Sequence, residues 1–451
     1  MRRRALCCAS YTTAWVDDAD VWRILLSDLV KNAPTRAGAG QENPEPSGSG
    51  RYSRKLFNIE ERIFTERNLR FYGLGMLIAV VVPLILLWWG KVRGNGVVSH
   101  DGTLGTIDFC WMWVSSKFAA SSDPGAIYDP VAVKALYAKL FGPGSCLFGD
   151  YQYIYPPTFL FFIYALGFVP YLAAFALWVI ATLFVYEVAI YAIVRRPVAM
   201  IAALAPFPVV KNIQLGHNGF LTAGLVGLSL VFVESRPWLS GIFLGLLTYK
   251  PQFGVLFPLA LLASRNWPAL ASATATSLIL AAAAAIAFGY QGWLSFPTTL
   301  FNLNSGLSPD AGIYIRLESI YGVLHRTGAN DTLAWLVQGG LVVLLAAWLW
   351  TVWAKPVPHA LKAAILCLAA VLVSPYVLHY DLCVLSIAVA FLVSDGLVRG
   401  FLPGDRILMF TCFLGLFVIA EPVGPVICAI LLCLAARRIA AWRSERPLVT
   451  T

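Results

Sequence analysis

The sequence predicts an all-α polytopic membrane protein, and three observations lead to that fold class. The chain has 451 residues, of which 59% are hydrophobic and 13% are charged, whereas about 25% of residues are charged in a typical soluble domain. Its mean hydropathy is +0.72. Apolar runs long enough to cross a bilayer recur along the chain, and a helix satisfies its own backbone groups in lipid. We therefore assign the net charge of +9 to loops at the membrane surface, and we expect no nucleic-acid partner.

Residues 1–70 are predicted to form a cytoplasmic, partly disordered tail. The stretch 37–50 is rich in Gly, Pro, Ser and Glu, a composition typical of a disordered linker. Six basic residues follow within 51–70, directly before the apolar run 71–89. Because positively charged segments stay in the cytoplasm, the first helix should deliver the next loop to the outside. No cleavable signal peptide is expected, since only a short apolar patch follows Met1-Arg2-Arg3-Arg4.

The outer loop, at about 90–155, is the first place where the sequence suggests a site. It is polar and rich in aromatic residues, and its segment 131–140 has the periodicity of a short helix lying on the membrane surface. Cys110 and Cys146 share this loop. Their spacing is compatible with a disulfide and with two unpaired thiols, and it does not decide between them.

The segment 71–436 is predicted to be a transmembrane domain of about 10 to 13 spans. It includes the outer loop and a second polar loop at 289–331. The apolar stretch 238–263 is interrupted at Lys250-Pro251, so it is either one crossing or two short ones. Residues 437–451 are basic near their start and are predicted to be a cytoplasmic tail. No internal repeat is visible, which weakens a transporter hypothesis because many transporters contain two related halves.

Asp108 is the candidate catalytic residue. It stands just beyond the first span, beside Phe109, Trp111 and Trp113, and aromatic neighbours that exclude water raise the pKa of a carboxyl group. Such a carboxylate is suited to accept a proton from an acceptor hydroxyl. The alternative is a loop carboxylate or a helix cap.

Candidate substrate-binding residues lie in two breaks of the apolar sequence. His217 and Asn218 lie in a Gly-His-Asn-Gly turn that offers imidazole and amide groups to a sugar or simply joins two helices. Lys250 lies inside an apolar stretch with Gln252 after it, and a lysine at that depth needs a partner or solvent. It either binds a lipid-linked phosphate or reaches the interface from a helix break.

A third break contains His379 and Asp381, which either face a polar cavity or form a structural hydrogen bond between helices. Arg316 and Glu318 in the second polar loop are weaker candidates. The aromatic side chains of Trp111 and Tyr155 are predicted to contact substrate. The chain contains no Walker loop, GxGxxG, zinc motif or nucleophile elbow, so we predict neither a metal nor a cofactor.

The order of these motifs resembles a known family. Asp108-Phe109 with its aromatics, Ser122-Asp123-Pro124, Tyr155-Pro156-Pro157, Leu215-Gly216-His217-Asn218-Gly219, Thr248-Tyr249-Lys250-Pro251-Gln252 and Pro375-Tyr376 with Tyr380-Asp381-Leu382 together resemble glycosyltransferase family 87. This is a bacterial group similar to polyprenol-phosphate-mannose-dependent mannosyltransferases. The resemblance covers about residues 70–435, and Gly216-His217 departs from the usual Gly-Gln of the family.

The resemblance implies a transmembrane bundle of the GT-C type with its site on the extracytoplasmic side. It also implies a polyprenyl-phosphate sugar donor and inverting transfer, with the acidic base at Asp108 and the lysine of the Lys-Pro motif at Lys250. We therefore predict an inner-membrane enzyme that transfers a mannose-like hexose to a periplasmic glycan or lipid acceptor. The alternatives are a transporter or flippase for a lipid-linked or amphipathic solute, and a scaffold without catalytic activity.

Overall fold

The protein is all-helical wherever its structure is described. The computed structural model describes residues 48–91, 107–141, 153–306, 316–416 and 422–444, which belong to one compact unit within Ser47–Thr451. In these ranges there is no β-strand, and one isolated antiparallel bridge pairs Leu317 with Leu378. The predicted disordered stretch falls on residues 37–47, outside the described ranges, and on the start of the first helix.

The helices before residue 220 belong to the N-terminal arm, the outer loop and the first half of the bundle. They are α1 (Gly48–Ile63), α2 (Glu66–Lys91), α3 (Ile107–Ala119), α4 (Pro130–Phe141), α5 (Leu160–Ile163), α6 (Tyr171–Val194), α7 (Pro197–Leu204) and α8 (Phe207–Leu215). Helix α2 contains the first predicted span, and α4 contains the predicted surface helix 131–140.

The remaining helices complete the bundle and the second polar loop. They are α9 (Gly219–Phe232), α10 (Pro237–Leu246), α11 (Phe257–Ala263), α12 (Trp267–Phe288), α13 (Gln291–Gly306), α14 (Ile320–Arg326), α15 (Asp331–Trp353), α16 (His359–Val373), α17 (Cys383–Arg399), α18 (Asp405–Gly415) and α19 (Gly424–Ser444). Helices α13 and α14 lie in the loop predicted at 289–331, and α19 continues beyond residue 436.

Several helix boundaries follow directly from local sequence. The side chains of Asn266 and Asn330 cap α12 and α15 by accepting hydrogen bonds from the backbone N–H groups of Ala269 and Leu333, at 3.2 and 2.8 Å. Helix α8 ends at Gly216, whose φ of +64° is a left-handed conformation that glycine adopts at little cost. These caps separate helices that would otherwise merge into longer apolar runs.

Within the ranges that the structure describes, five helices are each long and apolar enough to cross a membrane: α6, α12, α15, α19 and the segment His379–Arg399, which contains α17. The pair α7 and α8, bent by 67° at its break, makes a sixth if it is counted as one span. Five shorter apolar segments of 10 to 17 residues accompany them in the same described ranges. The chain is thus a multi-pass membrane protein, while the count of 10 to 13 spans stays a prediction.

Small residues allow the helices of the bundle to approach closely. A Cβ atom added to Gly241 or Gly245 of α10 would lie 2.4 Å from the Ala269 carbonyl oxygen or from Cβ of Thr276, both on α12. The two glycines are four residues apart and therefore lie on one face of α10. This spacing of small residues is a common device for packing membrane helices, because it brings the two backbones into van der Waals contact.

The turns between helices collect at two opposite ends of the bundle, and the basic side chains concentrate at one of them. At this basic end α6, α9 and α17 finish and α7, α10, α16 and α18 begin. Contacts such as these join its turns: Arg196 lies 3.5 Å from Glu66, and the His359 imidazole lies 2.8 Å from the Leu230 carbonyl oxygen. The other end, which we call the polar end, carries the predicted site residues.

A buried ionic network closes the basic end. The Glu60 carboxylate on α1 is fully buried and accepts hydrogen bonds from the backbone N–H groups of Gly404 and Ile407, each at 3.0 Å. It therefore caps the start of α18. The Arg438 guanidinium on α19 donates to Asp395 at 2.7 Å and also to Asp405. These contacts tie α1, α17, α18 and α19 together at one end.

Candidate active site

Three chain segments that are far apart in sequence meet at the polar end around Lys250. Its ammonium lies 2.5 Å from an oxygen of Asp381 and donates to the side-chain oxygen of Asn218 at 3.0 Å. The Lys250 side chain is 5% exposed and that of Asp381 is 2% exposed. The structure therefore places Lys250, Asp381 and Asn218 in one buried cluster, which supplies the partner that a lysine at this depth requires.

The lysine also lies against aromatic rings. Its Nζ is 5.5 Å from the ring centroid of Tyr380 and 5.5 Å from that of Phe253, within the range of a cation–π contact. The second oxygen of Asp381 accepts the backbone N–H of Leu378 at 3.2 Å. The ammonium of Lys250 and the carboxylate of Asp381 are thus stabilised by neutral groups as well as by each other.

His217 lies beside this cluster and connects it to the outer loop. Its imidazole is stacked on the Tyr380 ring with a centroid separation of 3.6 Å, and its Nε2 is 3.3 Å from the Tyr155 hydroxyl. Burial and the positive charge of Lys250 hold the pKa of His217 well below its usual value, so the ring is neutral at pH 7. Its buried Nδ1 has no hydrogen-bond partner among the described residues.

Glycines make this convergence possible. A Cβ atom on Gly219 would lie 2.3 Å from the Tyr380 carbonyl oxygen, and one on Gly216 would lie 2.7 Å from Cβ of Phe109. Neither position has room for a larger residue without a backbone shift. The Gly-His-Asn-Gly turn therefore packs directly on the segment that carries Asp381 and on the start of α3.

A second pair of buried ionisable residues lies nearby. The Glu318 carboxylate is 2.9 Å from Nδ1 of His379 and accepts the backbone N–H of Gly424 at 2.7 Å. Glu318 is 1% exposed. The buried Nε2 of His379 has no hydrogen-bond partner in the described part of the chain. Glu318 thus holds one nitrogen of His379 and leaves the other for a further contact.

Asp108 lies in the first turn of α3, at the same end of the bundle. The residue is half-buried, and burial raises the pKa of Asp108 to about 6, while the positive charges of Arg316 and Lys211 act in the opposite direction. The next residue, Phe109, is fully buried and packs edge-on against the Phe175 ring at 5.3 Å. The raised pKa makes this carboxylate a base suited to near-neutral pH.

Helix α8 connects Asp108 to the other groups. The Phe207 ring in its first turn contacts the His379 ring at a centroid distance of 5.2 Å. One turn later, Lys211 acts electrostatically on Asp108. The side-chain amide of the neighbouring Asn212 donates to the His217 carbonyl oxygen at 2.9 Å and accepts the backbone N–H of Phe220 at 2.7 Å. One short helix thus touches the Asp108, His379 and His217 regions, which places all three at one face of the protein.

The remaining site predictions have different outcomes. Tyr155 joins the cluster through His217. Trp111 is 8% exposed and its ring packs on Tyr137 at 5.0 Å, so it joins α3 to α4, and a contact with sugar stays a prediction. Gln252 is half-buried, and its side chain makes no hydrogen bond with another described residue. Its substrate contact also stays a prediction.

The predicted alternatives for Cys110 remain open. Its sulfur lies 3.3 Å from the Tyr137 hydroxyl, while Cys146 falls outside the described residues. In the ranges that the structure describes, no group of three or more His, Cys, Asp and Glu side chains is arranged to hold a metal ion. Transfer without a metal stays a prediction as well.

Sequence reasoning missed Lys211, named Tyr380 only as part of a family motif, and gave little weight to Arg316 and Glu318. Lys211 stands in Pro208-Val209-Val210-Lys211-Asn212, where one charge in an apolar run was a usable signal. Arg316 and Glu318 alternate with apolar residues in a loop, and nothing in their spacing points to Asp108 or His379. Their partners lie more than 60 positions away or on another helix, so only the folded chain brings them together.

Comparison with known proteins supports the chemistry suggested by this arrangement. The model of glycosyltransferase family 87 matches residues 153–375, about half of the chain. No curated protein and no solved structure matches significantly. The matched region contains Tyr155, His217, Asn218 and Lys250, whereas Asp108, His379 and Asp381 lie outside it. By the match over residues 153–375, the chain belongs to glycosyltransferase family 87 and is a membrane glycosyltransferase.

Proposed function

We propose that this glycosyltransferase moves a mannose-like hexose from a polyprenyl-phosphate donor to an extracytoplasmic glycan or lipid acceptor, with inversion at the anomeric carbon and without a metal or cofactor. The observation that carries the proposal is the Asp108 carboxyl, whose pKa is raised to about 6 while Arg316 and Lys211 supply positive charge beside it. A base and a stabiliser of a leaving phosphate are the two groups that such a displacement requires.

In the proposed step, the acceptor hydroxyl oxygen attacks the anomeric carbon as the bond from that carbon to the phosphate oxygen breaks. The electron pair of the broken bond leaves with the polyprenyl phosphate. The hydroxyl proton moves to Asp108 and is later released to water. Positive charge from Lys211 and Arg316 offsets the charge that develops on the phosphate, so the displacement does not require a metal in principle.

The cluster around Lys250 is proposed to bind the sugar. Buried polar atoms in and beside this cluster lack hydrogen-bond partners among the described residues, including Nδ1 of His217, the amide nitrogen of Asn218 and Nε2 of His379. Sugar hydroxyl groups donate and accept hydrogen bonds and would satisfy such atoms. The Lys250 ammonium is already paired with Asp381, so we assign it the role of holding the site together and lending it positive charge.

The proposed orientation follows from the two ends of the bundle. Arg196, Arg236, Arg265, Arg399 and Arg437 all lie at turns or helix ends of the basic end. The positive-inside rule assigns that end to the cytoplasm. In a bacterial inner membrane, the polar end with Asp108 would then face the periplasm, where a lipid-linked donor replaces nucleotide sugars.

The proposal predicts that the purified full-length chain, in vesicles, transfers radiolabelled mannose from polyprenyl-phosphate mannose to a lipid or glycan acceptor. Matched reactions would contain polyprenyl-phosphate glucose, a nucleotide sugar, or donor without acceptor. Labelled product from either lipid-phosphate donor and none from the nucleotide sugar is expected. Movement of intact donor across the vesicle membrane without a new glycosidic bond would instead support the flippase hypothesis.

Arg316→Gln is expected to shift the acidic limb of the pH–activity profile to higher pH. The Arg316 charge lowers the pKa of Asp108, so removing that charge raises this pKa, and deprotonation of the base then requires a higher pH. The measurement is kcat/KM for transfer between pH 5 and 8. Lys139→Gln, a change on the exposed side of α4, is the matched control. An unchanged pH profile in the Arg316 variant would show that the charge of Arg316 does not set the pKa of Asp108.

A further inference from the structure

A long apolar cavity lies away from the candidate active site, between α2 on one side and α7, α17, α18 and α19 on the other. Its volume is about 410 Å³, within the usual range of ligand sites. Its lining on α17 extends from Leu397 to Leu385, twelve residues, which is about 18 Å at 1.5 Å per residue. The cavity is therefore long and narrow and runs along the bundle from the basic end.

Charged groups line this cavity at the basic end. They are Arg196, Arg406 and Glu66. The Nη1 atom of Arg406 is buried and has no hydrogen-bond partner in the described part of the chain. Arg196 is 51% exposed and lies 3.5 Å from Glu66, whose other oxygen is paired with Arg70 at 2.7 Å. A buried guanidinium nitrogen without an acceptor is costly, and an anionic oxygen would satisfy it.

We propose that this cavity binds one anionic phospholipid from the membrane leaflet at the basic end. The phosphate would accept hydrogen bonds from Arg406 and Arg196, and one acyl chain would fill the apolar part. The hydrocarbon layer of one leaflet is about 15 Å thick, half of the ~30 Å core, which agrees with the length of the cavity. A polyprenyl chain is longer than this, and its phosphate would be needed at the opposite end, beside Asp108.

The position of the site suggests what the lipid does for the fold. Helix α2 forms one wall through Tyr72 and Met76, and the Tyr72 ring is 6.0 Å from the Phe410 ring of α18. An acyl chain in the cavity would contact both α2 and the bundle, where the protein itself leaves a gap. The Arg406 guanidinium also lies over the Phe401 and Phe57 rings, at 4.6 and 5.6 Å. These rings hold the guanidinium close to where the phosphate would bind.

The test is binding of fluorescent phosphatidylglycerol to the purified full-length protein in detergent, with fluorescent phosphatidylcholine as the zwitterionic comparison. Tighter binding of phosphatidylglycerol is expected. Arg406→Gln and Arg196→Gln should each weaken it about tenfold, the effect of losing one hydrogen bond between charged groups. Lys355→Gln, which removes an exposed charge from the same end but outside the cavity, should leave affinity unchanged.

Two further variants test the cavity itself. Ala199→Phe places a large ring among the lining residues and should weaken binding of both lipids, whereas Arg406→Lys keeps the charge and should restore part of the affinity lost in Arg406→Gln. Size-exclusion profiles establish that each variant is folded. Equal affinity for the two lipids, no effect of either arginine, or displacement of phosphatidylglycerol by equimolar polyprenyl phosphate would overturn the proposal. None of these outcomes depends on sugar transfer.

Discussion

Replacing Asp108 by Asn is expected to lower kcat/KM for sugar transfer by about 10²- to 10⁴-fold, the usual contribution of a general base. The amide keeps the size of the carboxylate and cannot accept a proton at neutral pH. Because α3 is packed through Phe109 and not through Asp108, the variant should fold normally. The measurement is initial-rate transfer from polyprenyl-phosphate sugar in vesicles at matched protein levels.

The pH dependence of the wild-type enzyme provides a second measurement of the same role. Burial raises the pKa of Asp108 to about 6, so the base is protonated and inactive below that pH. The expected profile of kcat/KM rises with pH through about 6 and is flat above it. The acidic limb should be absent from the residual activity of Asp108→Asn, since no carboxyl group is left to titrate.

Asp123→Asn is the matched control for Asp108. Asp123 lies in the same outer loop, is exposed, and its side chain caps no helix. Its loss should leave transfer within about twofold of wild type, as expected for a surface change. If Asp108→Asn were as active as this control, the base would have to be sought at His379 or Asp381.

Breaking the Lys250–Asp381 pair is expected to be the most destabilising single change at the site. Lys250→Met leaves a buried carboxylate without its counter-ion, and Asp381→Leu leaves a buried ammonium, each at a cost of about 3–5 kcal/mol. The double variant Lys250→Met with Asp381→Leu removes both charges and should recover most of that loss. Thermal unfolding in detergent measures the three variants against wild type.

The exposed pair Arg70–Glu66 offers a control with the same chemistry and a different environment. Its side chains are 60% and 45% exposed at a distance of 2.7 Å, and such pairs contribute about 0 to 1 kcal/mol. Arg70→Met should therefore have little effect on unfolding. If Lys250→Met were no more harmful than Arg70→Met, the buried pair would not organise the site.

Activity of the double variant separates two roles of Lys250. A folded but inactive protein would mean that the charges themselves assist transfer. A folded and active one would mean that the pair serves only to hold the Asn218 turn against the segment with Asp381. Both results are compatible with Asp108 as the base, which the single Asp108 variant tests separately.

Much of the architecture could be predicted from the sequence because membrane helices depend on properties that are local along the chain. Apolar runs and basic clusters predicted an all-helical multi-pass protein, and the periodicity of 131–140 predicted a short helix, where α4 is found. The break at Lys250-Pro251 was also visible, and the structure contains two short helices around it, α10 and α11. The sequence left open whether they cross the membrane once or twice.

The order and type of the site motifs were likewise sufficient to indicate the family. Asp108 was recognisable as an acidic residue beside aromatic residues in the polar outer loop. His217, Asn218, Lys250, His379 and Asp381 were recognisable because polar groups are rare in apolar sequence and costly there. That reasoning needs no knowledge of contacts, since it uses only the depth of each residue within its own run.

The sequence alone determined the helical membrane fold, the breaks between helices and the residue types available for chemistry. Only the tertiary structure decided the pairings: Lys250 with Asp381, Glu318 with His379, and the charges of Lys211 and Arg316 beside Asp108. The physical reason is the distance along the chain over which each interaction acts. Hydrophobicity and helix capping act within a few residues, whereas ion pairing and pKa shifts depend on distances between segments that are far apart in sequence and are set by packing of the whole bundle.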